Sequence, residues 1–437
     1  MSLIAHRGEL IHFPDTVDFT GSVEGEAGAV HFEDGLLLVE DGYIADCGAY
    51  SLMSAQLHDD TRIVHHTDGL IIPGMVDTHV HYPQTEIIAS YGTQLIDWLN
   101  QYTFPAEGRF NDPQYAAGEA AFFLDQLIGN GTTTALVFGT VHATSVDAFF
   151  TEAARRNLRM ICGKVMMDRN APDYLCDTPQ SAFDDSRELI NRWHGHNRLG
   201  YAVTPRFAPT STDQQLAVAG QLLEQHPDVY LHTHLAENTA ECQWVNELFP
   251  ERAGYLDVYD HYGLLGNRSV FAHGIPLQDT EWRRLAETRS SIAHCPTSNL
   301  FIGSGLYSLA RADEFGVKTA LGTDVGGGDS FSLLRTINEA YKVQQLQGAN
   351  LSPLRSLYMA TLGGARSLDL DRYIGNFEPG KEADFVVLDY AATSLIAHRI
   401  NAASSLQEKL FVMQMLGDDR AVRETWIMGA RQEHVKP

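Results

Sequence analysis

Between Ile71 and about Asp369, short apolar runs alternate with amphipathic stretches. The runs read LIIPGMVDTHVH, TTTALVFG, RMICGKVMM, LGYAVTP, VYLHTHL, SVFAHG, SSIAHCP and VKTALGTD. The stretches between them have helical patterning. TPQSAFDDSRELINRW opens with a Thr cap and Pro at the first position, and STDQQLAVAGQLLEQH is capped by Ser or Thr. Eight strands with intervening helices over about 300 residues predict an α/β fold, a (β/α)8 TIM-like barrel. The alternative is an open doubly wound sheet. No G-x-G-x-x-G follows the first strand, so a dinucleotide site lacks support.

The two ends of the chain have different patterning. Up to about Leu70 the apolar runs are short and strand-like. HFEDGLLLVEDGYIADCG is broken by Asp34-Gly35 and Asp41-Gly42, which is hairpin chemistry. From Gly375 strands return, as ADFVVLD and ETWIMGARQEHV. Neither end has enough strands for its own core. Residues 1–70 and 375–437 are therefore expected to pair as one small β-sandwich domain, with 71–374 as the catalytic barrel.

Composition bounds the partners. The 437 residues have a net charge of −25, and such an acidic surface repels phosphate backbones and anionic lipid. Nucleic acid and membrane surfaces are thus excluded as expected partners. The five cysteines, Cys47, Cys162, Cys176, Cys242 and Cys295, form no C-x-x-C pair, and their odd count fits a reducing compartment. The N-terminal MSLIAHRGELIHF lacks a basic start followed by an apolar stretch, and no run approaches the ~18 apolar residues of a membrane span. The expectation is a soluble cytoplasmic protein.

Histidines gather at the ends of the barrel strands. His79 and His81 lie two residues apart and face the same way on a strand. Two neutral imidazoles so placed can hold a divalent metal. H-x-H alone is a weak signal, but other strand ends add to it. YLHTHLAE supplies His232 and His234 on strand five, AHG supplies His273 on strand six, and LGTD supplies Asp324 on strand eight. Barrel active sites collect residues from the C-terminal ends of several strands. His234 is favoured over His232 as a ligand because it is nearer the strand end and starts an H-x-x-E spacing; His232 reads as a ligand or as support for one. Asp324 reads as a ligand rather than a cap, since Asp329 or Ser330 caps the following helix more naturally. Glu237, where the chain leaves strand five, reads as a carboxylate that moves protons between a metal-bound water and a substrate; the plainer reading is a first-turn helix charge. His294 reads as a pocket residue or simply packed, and Cys295 is a poor ligand candidate. His65, His66, His194 and His196 are expected at the surface.

Together these residues resemble the amidohydrolase superfamily. The markers are PGMVDTHVH, HLAE, AHG, HCPTSN and LGTD, with IGNFEPGKEADFVVLD as the return into the β domain. In two-metal members a lysine ending strand four is carboxylated and bridges the metals. Here that strand ends AVTPRFAPT, and Lys164 lies on strand three, which implies the single-metal subtype. Closer matches, LIDWLNQYTFPAE, NGTTTALVFGTVH, GKVMMDRNAPDY and TPRFAPTS, resemble the members that deaminate guanine. The resemblance implies zinc, with iron or manganese as substitutes, on His79, His81, His234, His273 and Asp324. It implies Glu237 as proton shuttle with Asp324, substrate contact by Gln84, Arg206, Phe207, His234, Glu237 and Asp324, and a homodimer. Arg206 can donate to a purine carbonyl, Gln84 offers a donor and an acceptor to an amide edge, and Phe207 can stack on a purine face. Their plainer readings are a surface ion pair, a polar loop residue and packing. LIDWLNQYTFPAE would close over the site, with Trp98 walling the pocket or sitting in the core. The H-x-E with P-C-x-x-C signature of the other zinc deaminase scaffold is absent.

Overall fold

The computed structural model describes residues 3–20, 28–91 and 98–433. In chain order the strands are β1 (Leu3–His12), β2 (Val30–Glu40), β3 (Tyr43–Ala49), β4 (Arg62–Pro73), β5 (Met75–His81), β6 (Thr132–Phe138), β7 (Arg159–Gly163), β8 (Val165–Met166), β9 (Gly200–Pro205), β10 (Tyr230–Leu235), β11 (Ser269–His273), β12 (Ser291–His294), β13 (Lys318–Leu321), β14 (Phe385–Asp389), β15 (Val422–Ile427) and β16 (Ala430–Arg431). They form two sheets. Strands from both chain ends make one seven-stranded sheet in the order β16-β15-β14-β4-β1-β2-β3. The other runs β13-β12-β11-β10-β9-β7-β6-β5, all parallel, with β8 beside β9.

The parallel sheet curls into a barrel. Its seam between β13 and β5 is closed by hydrogen bonds just beyond β13. Thr78 Oγ1 donates to Leu321 O at 3.0 Å, the Asp324 N–H donates to His79 O at 2.9 Å, and the His81 N–H donates to Val325 O at 2.9 Å. Closure therefore falls on the residues that carry the histidine pair and the aspartate. Inside the barrel Val76, Leu136, Ile161, Ala202, Val270 and Ala293 pack with Leu368, Leu370 and Ile374. A barrel filled in this way is a core, not a pore, and leaves only its mouth for chemistry.

Helix starts follow local chemistry. Thr178 caps the helix Pro179–Trp193 in a capping box with Ser181, and Thr212 caps Asp213–Gln225. The helix Leu333–Leu346 starts later than expected: Ser332 is its cap, while Ser330 Oγ accepts from the Ser332 N–H.

Four other local expectations differ from the structure. LIIPGMVDTHVH is two strands, because Leu70–Pro73 pairs with β14 before the chain enters β5. Both parts are buried, so no change in polarity marks the joint. The joint is Gly74, where a Cβ would lie 2.1 Å from Thr133 Oγ1. Asp34-Gly35 is not a turn; it lies within β2 beside a register shift of β1. The turn is Asp41-Gly42 alone, with positive φ at both residues. His66 is buried, not at the surface. Its ring stacks on His6, with Nε2 3.0 Å from His6 Nδ1. His194 is half-buried and accepts from the Tyr201 N–H, whereas His65 and His196 are exposed.

A buried ionic cluster joins the barrel to the terminal sheet. Glu382 Oε2 accepts from Arg159 Nε at 2.7 Å and from Arg198 Nη2 at 2.7 Å, and Arg198 also pairs with Asp384. Among the described residues no helix is long and apolar enough to cross a membrane. The five cysteines are free.

Candidate metal centre and active site

β5, β10 and β11 deliver histidines to the barrel mouth, and the turn after β13 delivers Asp324. Alternation puts His79 and His81 on one face. His273 and Asp324 take left-handed backbone conformations, with φ of 77° and 51°. Such conformations are unfavourable for residues with a Cβ, and they concentrate at functional sites.

The donor atoms converge. Asp324 Oδ1 lies 3.1 Å from His79 Nε2 and 3.3 Å from His81 Nε2. His81 Nε2 is 3.2 Å from His79 Nε2 and 3.3 Å from His234 Nε2. His273 Nε2 stands 3.8 Å from Asp324 Oδ2 and has no hydrogen-bond partner among the described residues. A buried imidazole nitrogen left bare beside the Asp324 carboxylate is the feature a metal would satisfy. The chemistry of the set agrees. Burial lowers the pKa of His79 and His234 and pushes His81 down to about 3, so these rings are neutral with free lone pairs. Burial pushes Asp324 up, but its electrostatic interaction and hydrogen bond with His79 and its hydrogen bond with His81 outweigh it and hold the carboxylate well below its usual range. Neutral imidazoles with one carboxylate suit zinc and its divalent neighbours.

Outer partners orient three of the rings. His79 Nδ1 is 2.7 Å from His232 Nε2, His234 Nδ1 donates to Arg206 O at 2.7 Å, and His273 Nδ1 donates to Asn299 Oδ1 at 2.9 Å. The oxygen partners of His234 and His273 fix the tautomer that leaves Nε2 free for a metal, and His232 can accept an Nδ1 proton from His79 to the same end. His232 is thus placed as a support for His79. His294 stacks on Tyr307, with ring centroids 4.7 Å apart, and lies outside the cleft. Cys295 is buried beside His273 and Asp324, and burial drives its thiol pKa far up, which disfavours the thiolate a metal needs. Lys164 is ion-paired with Asp177 at 2.5 Å, away from the ligands.

A cleft of about 420 Å³ opens over the cluster. Its walls include Gln84, Trp98, Leu99, Arg206, Phe207 and Glu237. Residues 95–97 of LIDWLNQYTFPAE lie outside the described residues, and Trp98 and Leu99 wall the cleft. Phe207 is buried and meets Trp244 edge-on, centroids 6.2 Å apart. Burial, then the nearby Asp324 carboxylate, push Glu237 up to about 8. Glu237 is therefore protonated near neutral pH, and a cation at the cluster would pull it back down.

Four residues that touch the site residues directly were not singled out from the sequence. Ser304 Oγ donates to Glu237 Oε1 at 3.0 Å. Glu241 Oε2 accepts from the Glu237 N–H at 2.8 Å, and Tyr255 OH donates to its Oε1 at 2.7 Å. Asn299 aligns His273, and Glu107 binds both Arg206 and Gln84. Only Glu241 had a legible signal, the N-x-x-E capping box starting at Asn238. The others depend on contacts across 23 to 99 residues of chain.

Comparison with known proteins places this site in a lineage. The chain is 54% identical to the guanine deaminase of Escherichia coli (strain K12) over 429 residues, 98% of this chain and 97% of that protein. The solved structure of E. coli guanine deaminase superposes with a TM-score of 0.95 at 51% identity, covering 100% of both chains. That of a guanine deaminase from C. acetobutylicum with bound guanine superposes with a TM-score of 0.89 at 29% identity, covering 99% of this chain and 100% of that one. The Amidohydrolase family profile matches residues 70–431, from within β4 of the terminal sheet through the whole barrel and back to β16, and it establishes that the chain belongs to the amidohydrolase family.

Proposed function

We propose that the protein is a hydrolytic deaminase that converts guanine and water to xanthine and ammonia. The observation that carries the reading is the gathering of His79, His81, His234 and Asp324 into one donor group, with His273 joined to it through Asp324 at 3.8 Å and Glu237 3.5 Å from His273. The full-length likeness to guanine deaminases supports guanine as the substrate.

We take His79, His81, His234, His273 and Asp324 as ligands of one divalent ion, zinc by preference, with iron or manganese able to use the same donors. When bound, such an ion supplies Lewis acidity that brings the pKa of water from ~15.7 towards about 7. Arg206 and Gln84 hold the polar edge of the purine, and Phe207 covers a face. Asp324, held ionised, takes a proton from the attacking water. Glu237 delivers a proton to N3, which makes C2 more electrophilic. Water oxygen adds at C2; the amino group takes the proton held on Asp324 and leaves as ammonia, and the new hydroxyl returns a proton to Glu237 as the C2 carbonyl of xanthine forms.

The reading takes 71–374 as the catalytic barrel and 1–70 with 375–437 as its β domain. It also takes a homodimer and a place in purine catabolism, as the family resemblance implies, and a cytoplasmic location, which the free cysteines support. The test is ultraviolet detection of xanthine from guanine, with metal analysis on the same sample. Ammonia release from 8-oxoguanine, a pterin, a triazine or an adenosine derivative, with none from guanine, would move the assignment to another aminohydrolase.

A further inference from the structure

Glu107 is buried in the cleft wall and belongs to neither the ligand set nor the proton path. It ends the short helix Phe104–Glu107, where Trp98, Leu99, Phe104 and Ala106 pack together. Arg206 Nη1 donates to its Oε1 at 3.0 Å and to its Oε2 at 2.7 Å. Gln84 Nε2 donates to Oε1 at 3.1 Å. Gln84 Oε1 in turn accepts from the Gly326 N–H at 3.2 Å. The Gln84 amide therefore cannot turn over: its nitrogen lies on a carboxylate and its oxygen on an N–H.

Charge is the second consequence. A lone guanidinium in a buried wall would attract anions strongly, because the local dielectric is low. Paired with Glu107, Arg206 keeps directed N–H groups but no net charge. A neutral heterocycle with an acceptor edge suits that wall. An anionic ring gains nothing from it and meets the Asp324 carboxylate as well.

We propose that Glu107 is a positioning and selectivity residue: it neutralises Arg206 and locks the Gln84 amide, so that the cleft admits neutral purines with a carbonyl edge and turns away anionic ones. This rests on Arg206 and Gln84 touching substrate in the deaminase reading above.

The test is Glu107→Gln in the metal-loaded enzyme. A hydrogen bond to a charged group is at stake, so kcat/KM for guanine should fall about tenfold or more, chiefly through KM. The preference for guanine over 2-aminopurine, which lacks the carbonyl, should shrink. Inhibition by urate, an anion at neutral pH, should tighten by about tenfold as Arg206 loses its countercharge. Metal content should not change. If the single variant folds poorly, Glu107→Gln with Arg206→Gln removes both charges together and leaves no buried ion unpaired. In the Arg206→Gln background, Glu107→Gln should leave urate inhibition unchanged and keep only the part of the guanine effect that runs through Gln84. Loss of turnover with KM and urate inhibition unchanged would overturn the proposal, as would an undiminished effect without Arg206. Wild-type protein inactive on guanine would instead sink the deaminase reading, and this assignment with it.

Discussion

Replacing His232 with leucine should weaken metal binding while leaving the metal-free fold intact. His232 Nε2 sits 2.7 Å from His79 Nδ1. In the metal-bound protein His79 must present its Nε2 lone pair, so its proton sits on Nδ1 and His232 accepts it. Leucine removes the acceptor and leaves a buried N–H bare, at about 1–3 kcal/mol. At 1.4 kcal/mol per decade that is roughly 5- to 150-fold in affinity, which brackets the ~10–100-fold typical of lost outer partners. Without metal, His79 can carry its proton on Nε2 instead, 3.1 Å from Asp324 Oδ1, and only an Nδ1 lone pair, not an N–H, is left bare. The loss should therefore appear chiefly in the metal equilibrium. Competition for zinc against a chromophoric chelator measures the affinity, and urea unfolding of the metal-free protein measures the fold. His232→Gln, which restores an acceptor, should recover part of the affinity. An affinity change under twofold, or equal destabilisation of the metal-free protein, would refute the argument.

Glu237→Gln should keep its metal and lose ~10²–10⁴-fold in kcat, read by xanthine formation beside metal analysis; a variant that stays active removes Glu237 from the proton path. Arg198→Met should cost about 3–5 kcal/mol, because Asp384 stays buried without its cation; the urea midpoint measures it, and a wild-type midpoint would mean the cluster contributes little. Burial pushes His6 down to about 3 and His66 to about 4, whereas both titrate near about 6.5 in the unfolded chain. The unfolded state then binds more protons in that window, so stability should fall as pH drops from about 6.5 towards 4. His6→Leu should flatten this slope in unfolding measured across pH, and an unchanged slope would refute the assignment.

How legible the protein was depends on the range of the interaction. Strand and helix identities, the caps at Thr178 and Thr212, and the H-x-H pair all follow from neighbours a few residues apart. The joint at Gly74 did not, because Leu70–Pro73 and Met75–His81 are equally apolar though they serve different sheets. His66 was misplaced for a related reason: a histidine among polar neighbours looks exposed until His6 and Trp426 close around it.

By itself the sequence determined the barrel, the residue types at its mouth and the family, since periodicity and short motifs are local properties of the chain. Only the tertiary structure brought His79, His81, His234 and Asp324 together with His273 3.8 Å from Asp324, set His232 against His79, and paired Glu107 with Arg206. Those facts depend on barrel closure and on burial, which set distance and dielectric between groups far apart in the chain, and no local pattern encodes either quantity.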